Sequence, residues 1–107
     1  MPQEDRRIIF SNEEVYKALF TLRDQKGMKP MPFGEIITAG FDTQNRDNIF
    51  FMLEDRIEQV HTKVEHKRDF VAASLMVFCR GVGIPLPKNA KKSVMIKEGA
   101  VILRVQI

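Results

Sequence analysis

A chain of 107 residues, 44% hydrophobic and 29% charged, has the make-up of an ordinary globular protein and none of the bias of a disordered chain or a coiled coil. Cys79 is the one cysteine, so no internal disulfide forms and a reducing compartment suits the chain. The net charge of +3 hides a split, with 8 Lys/Arg against 11 Asp/Glu in residues 1–60 and 9 against 3 in residues 61–107.

Arg7 to Phe10 is a short β-favouring run, and Ser11 with Glu14 has the spacing of a capping box that opens a helix. Val15, Ala18, Leu19 and Leu22 then recur on one face, which predicts a helix covering a sheet on one side. Gly27 ends it, and Lys29-Pro30-Met31-Pro32 cannot continue a helix because proline lacks the amide donor. Gly34 to Phe41 and Ile49 to Leu53 read as two strands joined by the polar loop Asp42 to Asn48. Residues 54–67 fit either a strand or an early start of the next helix, since Ile57, Val60 and Val64 also form a helical stripe. Asp69 to Arg80 predicts a second helix, apolar nearly all the way round and ten residues short of spanning a bilayer over its apolar run Phe70 to Cys79. Gly81 and Gly83 stop it, Pro85-Leu86-Pro87 leads away, and Ser93 to Ile96 with Ala100 to Ile107 predict a closing hairpin around Lys97-Glu98-Gly99. In its last strand, alternation leaves Ile102 and Ile107 on the more polar face.

A shift of 55 positions lays Ala18 on Ala73, Pro30 on Pro85 and Pro32 on Pro87, with apolar pairs such as Phe20 with Leu75 and Leu22 with Val77 between them. It also lays Ile9 on Val64, and so favours a strand around His61 to Glu65. The expected fold is α+β: one domain over residues 1–107 holding a pseudo-repeat at roughly 7–53 and 60–107, two β-α-β-β units whose antiparallel sheet carries both helices.

Candidate sites are few. His61 and His66, five apart on a strand, face opposite ways and cannot grip one ion. The loop Asp42 to Asn48 lacks the central glycine and final glutamate of a calcium-binding loop. Glu54 with Asp55, and Glu65 with His66 and Asp69, read as solvated edges, and Cys79 as a core residue with no activating neighbour. The expectation is therefore no catalytic residue, no metal and no cofactor. Arg80, Lys88, Lys91 and Lys92, with Lys63 and Lys67 as outliers, make the best anion-binding surface, which points to nucleic acid or another polyanion as one class of partner. The surplus apolar face of the second helix, with Phe70, Ala73 and Val77, is either covered by the first helix or serves as an interface with a second copy or another protein. An interaction domain acting as a homodimer or adaptor is the leading expectation, and an enzyme the least favoured.

The segment from Phe78 to Ser93, an apolar helix running into Ile84-Pro85-Leu86-Pro87 and a lysine-bearing loop, resembles the C-terminal third of a family of small uncharacterised bacterial proteins. That resemblance implies a bacterial protein with no assigned activity. The absence of a basic start and an uninterrupted apolar run at Met1 to Arg7 adds the expectation of a cytoplasmic address. The strand-helix-strand-strand unit also looks like the small interaction modules called SHS2, which favours binding over chemistry.

Overall fold

The computed structural model describes residues 3–107, in the order β1 (Asp5–Phe10), α1 (Asn12–Gln25), β2 (Glu35–Phe41), β3 (Asn48–Asp55), β4 (Val60–Lys67), α2 (Arg68–Val82), β5 (Lys91–Lys97) and β6 (Ala100–Gln106). The fold is α+β and consists of two β-α-β-β units. Residues 60–67 are a strand, as the repeat requires, and α2 begins only at Arg68.

Each unit closes its last two strands as a hairpin, β2 with β3 and β5 with β6. The leading strands are exchanged: β1 pairs with β6, and β4 pairs with β3, all antiparallel. The six strands therefore form two three-stranded antiparallel sheets, β1-β6-β5 and β2-β3-β4, each built from both halves, in place of the one shared sheet expected, because each leading strand pairs with the other unit's hairpin. Where a turn joins β3 to β4 within one sheet, the other sheet brings the start and end of the chain together, Ile107 N donating to Glu4 O at 2.9 Å.

The helices start differently and end alike. Ser11 caps α1 with a complete capping box, its Oγ accepting from Glu14 N at 3.2 Å while Ser11 N donates to Glu14 Oε1 at 2.9 Å. Lys67, at the same place before α2, makes no side-chain cap. Both helices close with one pattern: Met28 N reaches Arg23 O at 2.9 Å and Ile84 N reaches Cys79 O at 2.8 Å, around Gly27 at φ 65° and Gly83 at φ 81°. Left-handed backbone at this position is the reason for glycine at both ends.

These caps fix the true correspondence between the halves at 56 positions through the helices, as from Gly27 to Gly83. Buried Val15, Ala18 and Leu19 match buried Val71, Ser74 and Leu75 at the same offset. The connection after Gly83 is one residue shorter, which restores 55 at Pro30 and Pro85. The identity of Ala18 with Ala73 is thus a coincidence of spacing, since Ala73 lies one position off the buried face.

The core fills the space between the helices and the inner sheet faces. Ile49, Phe51 and Leu53 of β3 and Val101, Leu103 and Val105 of β6 point inward from the two central strands against Leu19, Val71 and Leu75. Ile102 sits on the opposite face but is only 5% exposed, flanked on its neighbours by Ile9 and Met95. Arg104 on that face makes a two-pronged ion pair with Asp5, at 3.0 and 2.7 Å. Met31 is buried and Leu86 half-buried against the core, so each Pro-x-Pro inserts its middle residue. Tyr16 Oη donates to Pro32 O at 2.9 Å and holds the first of these segments to α1.

Candidate functional site

Three places on the helical side of the molecule combine side chains that could meet a ligand. The largest is a groove of about 640 Å³ along the seam between α1 and α2. Its walls are Tyr16 and Phe20 from α1 and Val77, Phe78 and Val82 from α2. Helical spacing explains the set: the sheet takes one stripe of each helix, and the next stripe round is left at the outer lip of the seam. Phe20 stays 46% exposed and Val82 57% exposed, so the lip carries projecting apolar groups beside a hollow.

The second place lies on the other flank of α2, a hollow of about 550 Å³. Arg80 from the last turn of α2, Lys88 from the following loop and Lys92 from β5 line it together, above Met76, Ile84 and Leu86. Arg6 on β1 closes the rim by donating to Pro85 O at 3.3 Å. Of the expected basic surface, Lys91 is exposed opposite Gln106 and does not line the hollow. Lys63 and Lys67 belong to β4 in the other sheet, where Lys63 pairs with Glu65 at 3.3 Å and lies over Phe50.

The third is a hollow of about 390 Å³ near the start of α2, lined by Phe70, Ala73, Lys67 and His66 and, from beyond α1, by Lys26 and Met28. The expected interface residues are therefore divided: Val77 lines the seam groove, while Phe70 and Ala73 line this smaller hollow. His66 is 7% exposed; its ring stacks on Phe70 with centroids 5.1 Å apart and takes a hydrogen bond on Nε2 from Arg23 Nη1 at 3.1 Å. A guanidinium only donates, so Nε2 accepts and the neutral ring carries its proton on Nδ1, which is buried without a partner. Burial first, and the Arg23 charge second, push the pKa of His66 down to about 4.

The remaining polar candidates are taken up by local structure. His61 lies on the face opposite His66, exposed, and meets Glu54 at 3.1 Å. Glu54 also accepts from Arg56, and these two hydrogen bonds hold its carboxyl below the usual range. Asp55 Oδ1 accepts from Ile57 N and Glu58 N, which shapes the turn between β3 and β4. In the loop Asp42 to Asn48, Asp42 and Asn45 accept from the backbone of Gln44 and Asp47 in the same way. Cys79 is fully buried, and burial pushes its thiol up, away from the thiolate. Among the described residues no three His, Cys, Asp or Glu converge on a metal site, and no helix is long and apolar enough to cross a membrane.

The seam groove and its projecting Phe20 could not be read from the repeat, which lays Phe20 on a core leucine. Its signal lies in α1 alone, where Tyr16 and Phe20 stand four apart beside the buried stripe. No family model, no curated protein and no solved structure matches this chain.

Proposed function

We propose that this chain is a non-catalytic interaction domain that associates with a second copy of itself through the α1–α2 seam. One observation carries the reading: a projecting Phe20 and an apolar groove lie side by side on the same surface. A two-fold contact joins one patch to itself, so it needs knob and hole on one face, and here Phe20 of each copy meets the groove of the other. Apolar walls with few polar groups favour burial by a protein surface over capture of a polar substrate. The engagement of Glu54 with His61 and Arg56, and of Asp55 and Asp42 in turns, supports a binding role over acid-base chemistry.

Light scattering on a size-exclusion column tests this. The expected mass is twice 12.4 kDa, falling to the monomer in Phe20→Glu and Val77→Glu. A monomeric parent chain, or a dimer that tolerates both charges, removes the reading and leaves the groove to a different protein.

A second reading, polyanion binding, is favoured by the convergence of Arg80, Lys88 and Lys92. It predicts binding to mixed-sequence DNA or RNA that weakens steeply from low to physiological salt. No binding at low salt ends it.

A further inference from the structure

Arg80, Lys88 and Lys92 reach one hollow from three successive elements, and no acidic residue lines it. Arg80 and Lys88 make no ion pair with any described residue; the carboxylates that do pair, Asp5, Glu35, Glu54 and Glu65, are bound to Arg104, Arg56, His61 and Lys63. Lys92 donates to Ala90 O at 3.2 Å and keeps two of its three donors. Positive charges gathered this way repel one another, and an anion among them relieves that repulsion while taking charge-assisted hydrogen bonds.

The floor narrows the class of anion. Met76, Ile84 and Leu86 line the hollow together with the cations, beside Pro85, whose carbonyl takes a hydrogen bond from Arg6 of β1. A bare phosphate would leave these apolar side chains in water, and a nucleic acid would find no aromatic ring to stack on. The volume of about 550 Å³ is that of a small-molecule site. We infer that this hollow binds a single organic anion with an apolar body, an alkyl phosphate or alkyl carboxylate, its head group on Arg80, Lys88 and Lys92 and its chain over Met76, Ile84 and Leu86. The inference goes beyond the interaction reading and does not depend on it, because the hollow and the seam groove share no lining residue.

The test is calorimetric titration of the full chain with dodecyl phosphate below its micelle concentration, beside inorganic phosphate and dodecyltrimethylammonium. Dodecyl phosphate binds one to one, about tenfold or more tighter than either control, and the triple variant Arg80→Gln, Lys88→Gln, Lys92→Gln loses at least about tenfold. Lys88→Gln alone, in an exposed loop, gives a smaller loss in the same direction should the triple variant fold poorly. Equal binding of inorganic phosphate or of the cationic amphiphile overturns the inference, as does an unchanged affinity in both variants. Two further results also overturn it: sedimentation with phosphatidate vesicles without binding of the monomeric amphiphile, which assigns the cations to a membrane surface, and binding of mixed-sequence DNA alone, which returns them to nucleic acid.

Discussion

Arg23 and His66, 43 positions apart in the chain, meet at 3.1 Å where the other half of the molecule places Cys79 and Phe10. At the offset of 56, Phe10 corresponds to His66 and Cys79 to Arg23. Phe10 packs edge-on against Phe78 at 6.0 Å, an apolar contact of a leading strand with the opposite unit's helix. On the other side the corresponding leading strand makes a polar contact, and it leaves Nδ1 of His66 without a partner at a cost of roughly 1–3 kcal/mol.

That exchange makes stability depend on pH. The folded pKa of His66, about 4, lies below its ordinary value of 6.5, so the unfolded chain binds the proton more readily. The contribution is complete above pH 6.5 and is lost as pH falls from there towards 4, by about 3 kcal/mol. Urea unfolding across this range measures it. His66→Phe, which gives this position the residue its counterpart Phe10 holds, removes this part of the slope, while Arg23 keeps its hydrogen bonds to Lys29 O at 2.7 Å and Met31 Sδ at 3.3 Å.

Ser11→Ala removes the capping box of α1 and costs about 1 kcal/mol, read as a lower urea midpoint with an unchanged slope. Lys67→Ser introduces a cap where α2 has none and raises the midpoint.

Gly27→Ala and Gly83→Ala each cost roughly 1 kcal/mol, and by similar amounts. Both glycines hold left-handed backbone, and a methyl group at either meets no atom within 4 Å, so the penalty is conformational in each case. Thermal unfolding of the two variants side by side checks the equivalence of the caps.

Leu75→Ala, at a fully buried position of α2 facing both central strands, costs about 2–5 kcal/mol by calorimetry or urea unfolding. Val82→Ala, exposed on the lip of the seam, changes monomer stability by less than about 0.5 kcal/mol and weakens self-association instead.

Local patterns in the sequence carry the elements well. The capping box at Ser11, Gly27 and Gly83 closing the helices and the alternation of Val101, Leu103 and Val105 each act through neighbours in the chain and have their expected outcome, whereas Gly81, expected to stop α2, lies inside it with ordinary helical backbone. Residues 54–67 are ambiguous by periodicity, and the alignment of Ile9 with Val64 favours a strand around His61 to Glu65, which the structure has at 60–67. Pairing between halves was out of reach, because β1 and β6 meet across some 95 positions and nothing in either strand names its partner. The same holds for the site. Arg80, Lys88 and Lys92 converge because a helix end, the short loop after it and the start of β5 carry them, whereas the Arg23–His66 contact and the division of Phe70 and Ala73 from Val77 follow from how α1 lies against β4 and α2.

Analytical ultracentrifugation tests the self-association most directly. At micromolar concentration the parent chain sediments at twice 12.4 kDa and Phe20→Glu at the monomer mass, while Thr43→Glu, in the exposed loop between β2 and β3, sediments like the parent. A parent chain that sediments as a monomer, or a dimer that Phe20→Glu leaves intact, contradicts a dimer built on the α1–α2 seam.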